Sequence, residues 1–351
     1  MSPTFDDIAD VGVPFDRAFF HRLPKCDLHV HLDGSLRLET MLELAERDGV
    51  DLGADDVDRL RALVRPGARH SSLEEYLKSF DVTLKVLQTD YALYRAAYEL
   101  AEDAAAENIE YMEVRYSPIL HTRLKLSTAA ILESVLSGLR DAEKDLGIRS
   151  GVIVSGIRNI SPEVSLRLAE LAVAFKNRGV VGFDLAGAEY NYPAKDHLEA
   201  FSLVLSNNVN MTIHAGEAYG PDSIHQALHY CGAHRIGHGT RLREDGDLLN
   251  YVNDHRIPLE ICLSSNVQTR AVDSIDEHPF RFYHDLGLRV TLNTDNHFDL
   301  NPRDVLDLVM SGVKSAFIPY EFKRDFIRVT KDRVKEMLVE AAVETGRAED
   351  G

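Results

Sequence analysis

The chain has 351 residues, 44% of them hydrophobic and 27% charged, a composition that excludes a disordered protein and fits a well-cored globular one. Its 39 Lys and Arg against 57 Asp and Glu leave a net charge of −18, which repels phosphates and argues against a nucleic-acid polymer as partner. Cys26, Cys231 and Cys262 are too few for a disulfide framework, so a reducing, cytoplasmic setting is expected.

From the N-terminus, MSPTFDDIADVGVP lacks the basic-then-apolar layout of a signal peptide, and no stretch approaches the roughly 18 apolar residues of a membrane span. Eight short runs rich in β-branched residues follow: DLHVHLD (27–33), IEYMEVRYSP (109–118), GVIVSGIR (151–158), VVGFDLAG (180–187), VNMTIHAGE (209–217), RIGHGT (235–240), PLEICLSS (258–265) and RVTLNTDN (289–296). Near-continuous apolar character over such lengths marks strands buried on both faces, as in a parallel sheet. Helical patterns fill most gaps. In 161–178, Ser161 stands at a helix N-cap, Pro162 at the first helical position and Gly179 at the stop; 127–145 and 222–230 repeat the design. Eight strands alternating with helices predict a (β/α)₈ TIM barrel, with an open doubly wound sheet as the competing architecture. Residues 34–108 hold about three helices' worth of sequence between the first two strands. In a barrel they form a helical insertion over the mouth. No linker divides the chain, so residues 1–351 read as one domain.

Polar residues gather at the C-terminal ends of these strands, where TIM barrels place their active sites. His29 and His31, at i and i+2 on a strand, point the same way. They are either a pair of metal ligands or a pair of hydrogen-bonded buried histidines. His214 and Asp295, from distant strands, would complete three nitrogens and one oxygen, a set that suits Zn²⁺ with a position left for water. Such a water becomes a hydroxide nucleophile near neutral pH. Glu217, three residues past His214, is either a proton donor or a helix N-terminal acid favoured by the dipole. His238, between two glycines, either orients or deprotonates the water or is a satisfied core histidine. Leu73, Tyr76, Leu77 and Phe80 recur at i, i+3, i+4 and i+7, one helical face.

LPKCDLHVHLDGS (23–35), GFDLAGAE (182–189), IHAGE (213–217), RIGHG (235–239), ICLSSN (261–266) and TLNTDN (291–296), in this order, resemble the adenosine deaminase family. The resemblance implies a TIM barrel with one Zn²⁺ per chain, held by His29, His31, His214 and Asp295. It implies hydrolysis of adenosine, and of 2′-deoxyadenosine, to inosine and ammonia. Glu217 would protonate purine N1 as the hydroxide attacks C6, His238 would sit beside the metal water, and Asp295 would also accept that water's proton. The substrate would meet His31, Asp33 at the ribose 5′-hydroxyl, the Gly187 backbone at N3, Asn296 at N7, and Leu73, Tyr76, Leu77 and Phe80 as an apolar wall. The HxE and PCxxC signature of the cysteine-ligated nucleobase deaminases is absent. The fourth strand has no lysine to carry the bridge of a two-metal site. The chain departs from the family after the eighth strand, where 297–310 is about one helix shorter than the pattern. Two other readings stay open: a deaminase of adenine or a modified purine nucleoside, and a non-catalytic barrel that binds purine nucleosides.

Overall fold

The computed structural model describes residues 17–64, 73, 77, 78, 80–293 and 302–349. Eight strands, β1 (Lys25–His31), β2 (Ile109–Tyr116), β3 (Arg149–Ile157), β4 (Val180–Ala186), β5 (Asn210–Ala215), β6 (Arg235–His238), β7 (Leu259–Ile261) and β8 (Val290–Leu292), lie side by side in sequence order. Every adjacent pair along that order is parallel. The helix Pro302–Ser315 packs against both β8 and β1 and brings the two ends of the sheet together. At that seam the Leu28 backbone N–H donates to Asn293 Oδ1 at 3.0 Å. Sequential order without a reversal is that of a TIM barrel, not of a doubly wound sheet.

Alternation along each strand builds two layers. Leu28 packs outward with Val313, Ala316 and Phe326. Val30, Val114, Val154, Leu185, Ile213, Ile236, Ile261 and Val290 join the core between sheet and helices. The opposite parity carries Asp27, His29, Glu113, Arg115, Asp184, Thr212, Arg235 and Glu260, all buried. The barrel interior is therefore ionic rather than the usual layers of branched aliphatics.

Two boundaries differ from the sequence reading. The seventh strand stops at Ile261, and Leu263–Gln268 is a helix, so ICLSSN is a strand end followed by a helical turn. Its Asn266 and Thr269 are thereby lifted to the barrel mouth, where their side chains bond other residues of the site. The insertion carries four described helices, Leu38–Asp48, Val57–Val64, Phe80–Val86 and Asp90–Ala106, against the three expected. Short apolar stretches separated by polar turns, with caps such as Thr89 Oγ1 accepting the Ala92 N–H, divide the segment more finely than its length suggests. Ser161 and Pro162 do open the helix Pro162–Phe175, but the Ser161 hydroxyl makes no capping bond to the backbone.

The helices Asp90–Ala106 and Thr128–Leu146 meet at Gly138, where an added Cβ would lie 2.3 Å from the Tyr94 carbonyl oxygen. A methyl there must push two backbones apart, which outweighs the helix-propensity gain of about 1 kcal/mol from Gly to Ala. Gly138→Ala is expected to lower stability by about 1–3 kcal/mol, read from the urea midpoint; an unchanged midpoint would show that the two helices adjust freely.

Candidate active site

Three imidazoles meet at the C-terminal mouth. His31 Nε2 lies 3.2 Å from His214 Nε2. Two nitrogens bound to one tetrahedral Zn²⁺ at about 2.0–2.1 Å stand about 3.3–3.4 Å apart, so this spacing fits a shared ion. His29 and His214, whose ring centroids are 4.7 Å apart, turn their far nitrogens to carboxylates. His29 Nδ1 donates to Glu260 Oε2 at 3.0 Å and His214 Nδ1 to Asp184 Oδ1 at 3.0 Å. Carboxylate behind histidine leaves Nε2 of both rings as a lone-pair donor, the usual arrangement behind a metal. Burial first, then the neighbouring cations, holds His29 and His31 well below the ordinary imidazole value, so both are neutral. Gly237 makes room: a Cβ on it would stand 3.2 Å from the His29 ring.

Ligand-capable atoms of His29, His214 and His238 also cluster within 4.8 Å. Parity along β6 would send His238 outward with Ile236, but its backbone adopts φ +66°. This left-handed conformation, uncommon outside glycine, turns the ring inward to 4.8 Å from His29. The Nδ1 of His238 is already engaged. The Phe280 N–H donates to His278 Nδ1 at 3.0 Å, so His278 carries its proton on Nε2 and donates to Asn266 Oδ1 at 3.1 Å. Thr240 Oγ1 donates to the same oxygen at 2.9 Å. The Asn266 amide nitrogen therefore faces His238 Nδ1, at 3.0 Å, and donates to it. His238 then bears its proton on Nε2, 3.5 Å from Glu217 Oε2. The tautomer follows from the hydrogen-bond network, and it leaves His238 a donor at this point.

Glu217 sits on a turn that another carboxylate organises. Glu189 accepts the backbone N–H groups of Gly216, Glu217, Ala218 and Tyr219, at 2.6, 3.1, 2.5 and 3.0 Å. Thr269 Oγ1 donates to Glu217 Oε1 at 2.8 Å. Burial pushes the Glu217 carboxyl up to about 7, against the opposing pull of His214 and the Thr269 hydrogen bond. It lines a cavity of about 650 Å³ with Leu73, Thr269 and Arg241, a size suited to a small organic ligand.

Asp33 is buried, and its Oδ1 has no hydrogen-bond partner among the described residues. Burial raises its carboxyl to about 6. Phe80 brings its ring centroid to 6.5 Å from that of His31. Leu73 is buried and Leu77 half-buried. Gly187 follows β4 directly at φ +92°. Tyr76, Asp295 and Asn296, and the start of the shortened segment after β8, lie outside the described residues. The sequence reading passed over Glu260, Asp184, Glu189, Asn266 and His278. Two of these, Asp184 and Glu189, stand inside GFDLAGAE and a third, Asn266, inside ICLSSN, so their motifs were the available signal.

A family model described as adenosine deaminase matches residues 24–341. The adenosine deaminase of Mycobacterium leprae is 43% identical over 345 residues, 89% of this chain and 95% of that one. A probable adenosine deaminase of Dictyostelium discoideum is 42% identical over 274 residues, 78% of this chain, which spans 36% of that protein's length. Among solved structures, adenine deaminase from Arthrobacter aurescens superposes with a TM-score of 0.83 at 25% identity, covering 89% of this chain and 99% of that one.

The Glu217 carboxyl has a consequence for stability in metal-free protein. In the unfolded chain it titrates near its ordinary 4.5; folded, near 7. Between these values the folded state holds a proton the unfolded state has lost, so stability drains away as pH rises through the window and the full cost is present above it. Glu217→Gln removes that cost. After chelation, the variant is expected to be about 1–3 kcal/mol more stable than wild type at pH 8 and no more stable at pH 4. Equal melting curves at pH 8 would show that the carboxyl is not strained.

Proposed function

Because the chain belongs to the adenosine deaminase family, a family of hydrolytic deaminases, we propose that it converts adenosine and 2′-deoxyadenosine to inosine and ammonia. The observation that carries this reading is Glu217: a buried carboxyl that keeps its proton near neutral pH, facing a cavity beside converging imidazoles. We assign one Zn²⁺ to His29, His31, His214 and Asp295. His31 and His214 fit such an ion by spacing, His29 and His214 by tautomer, and Asp295 enters through its motif. When bound, the ion acidifies a water to a nucleophile usable at pH 7.

The protein's own groups then divide the work. C6 of a purine is a poor electrophile until N1 is protonated, and Glu217 supplies that proton. His238, with its proton on Nε2, donates to the oxygen of the attacking water. Of the roles open to it, this tautomer favours orienting that water over deprotonating it. Asp295 takes one proton of the water and passes it to the exocyclic amine, which leaves as ammonia, and the proton lost from the new C6 hydroxyl restores Glu217. Leu73, Leu77 and Phe80, with Tyr76, wall off the purine. The Gly187 N–H meets N3 and Asn296 meets N7. The insertion at 34–108 acts as a cover within a single catalytic unit.

Asp33 supports a free nucleoside over a bare base. Its buried oxygen, partnerless among the described residues, calls for a donor such as a ribose hydroxyl, and a ligand without one would leave it unpaired. The higher identity to proteins named adenosine deaminase than to the adenine deaminase supports the same choice. The three cysteines are free thiols and none of the described helices is long and apolar enough to cross a membrane. We place the enzyme in the cytoplasm, in purine salvage.

Zinc-loaded protein is expected to deaminate adenosine, followed by the ultraviolet change to inosine, and to stop after chelation. Turnover of adenine in preference to adenosine would overturn the role of Asp33. Glu217→Gln is expected to cost about 10²–10⁴ in kcat with metal retained. Asn266→Asp keeps shape but replaces the donor to His238 Nδ1 with an acceptor. By analogy with losing the correct histidine tautomer elsewhere, it should lower kcat by about 10²–10⁴ with a much smaller change in KM. Near-normal kcat in this variant would remove His238 Nε2–H from the mechanism.

A further inference from the structure

The opposite end of the barrel holds a second cavity, of about 320 Å³. It lies where β5 to β8 begin, closed on one side by residues 314–318, and shares no lining residue with the mouth. Its lining contains Arg235, Arg256, Arg289, Lys314 and Lys323, and no carboxylate. In a chain of net charge −18, five cations around one hollow are out of keeping with the rest of the molecule.

The cations are not neutralised from behind, with one exception. Arg235 pairs with Glu113 and Glu260. Among the described residues, no carboxylate pairs with Arg289 or Lys314. Arg256 donates to the Gly287 carbonyl at 2.6 Å, and Lys323 Nζ to the Lys314 carbonyl at 3.1 Å, both neutral acceptors. Burial and the adjacent Arg256 hold the Arg289 guanidinium below its ordinary value. Burial likewise lowers Lys323, with Arg235 and Arg289 adding to the effect and Glu113 opposing it. Two further donors stand at the cavity. His234 Nδ1 accepts the Met211 N–H at 3.1 Å, which leaves its proton on Nε2. Ser315, 5% exposed, lines the cavity, and its hydroxyl has no hydrogen-bond partner among the described residues. Crowded cations and an orphaned buried hydroxyl around a concave site are the complement of a compact, multiply charged oxyanion.

We propose that this basal cavity binds a phosphate group, free or carried on a small sugar, through Arg289, Arg256, Lys314 and the Ser315 hydroxyl. The site is independent of the deaminase chemistry at the mouth. The test is calorimetric titration of the zinc-loaded full chain, at fixed ionic strength in an anion-poor buffer. Inorganic phosphate is one arm and ribose 5-phosphate the other. Saturable binding of either is expected, weakened at least tenfold in the Arg289→Ala/Lys314→Ala variant while adenosine turnover stays within twofold. Tighter binding of ribose 5-phosphate would assign a sugar-borne phosphate, and equal or weaker binding the inorganic ion. Absence of saturation in both arms, or the same affinity in the variant, would overturn the site. Should the double variant fail to fold, Lys314→Glu, at an exposed position, must weaken binding at least threefold for the proposal to stand.

Discussion

Glu260 is the group on which the rest of the barrel depends. Its two oxygens accept from His29 Nδ1, Arg115, Arg235 and Thr212. These partners stand on β1, β2, β6 and β5, and Glu260 itself on β7, so one carboxylate ties five of the eight strands across the interior. Burial alone would raise this carboxyl, but Arg115 and Arg235 hold it at about 2. A charge buried this deeply is tolerated only when every lone pair is used, and removing one partner would leave the others stranded. The same ion pair geometry orients His29. Structural and functional demands therefore meet on a single side chain. Arg235, its partner toward the base, also borders the second cavity, so the ionic core runs from one end of the barrel to the other.

The interior also separates two carboxyls by environment. Glu260, ringed by guanidiniums, stays ionised as a fixed negative charge behind the His29 ring. Glu217, buried beside the Thr269 hydroxyl, the Asn266 amide and the His238 ring with no guanidinium against it, is pushed up to about 7. The residue types are identical and their titration is driven in opposite directions by environment alone. Glu189 adds a third use. Its carboxylate gathers four backbone N–H groups and so holds the turn that aims Glu217.

Much of this architecture was legible in the residues. Strands buried on both faces read as apolar runs, and all eight runs are strands at nearly the expected positions. His29 and His31 could be placed on one face because a strand alternates with period two. His238 could not, because its inward turn comes from a positive φ that breaks the alternation. The run PLEICLSS reads as strand to Ser265, since a short apolar run followed by Ser fits a strand end and a helix start equally well. Asn266 and His278 went unnoticed because neither belongs to a periodic pattern. Their partnership spans a loop, and only folding brings Oδ1 of one against Nε2 of the other.

What the sequence determined by itself was the list of parts: eight strands, their order, the polar residues at their C-terminal ends, and the family to which six ordered motifs belong. Those follow from local patterns, which a linear reading preserves. The tertiary structure decided which nitrogen of each histidine is free, which carboxyl holds a proton, and which strands share Glu260. These depend on distances of about 3 Å between residues tens to hundreds of positions apart. A charge's protonation state is set by what surrounds it in space, and the surroundings exist only once the barrel has closed.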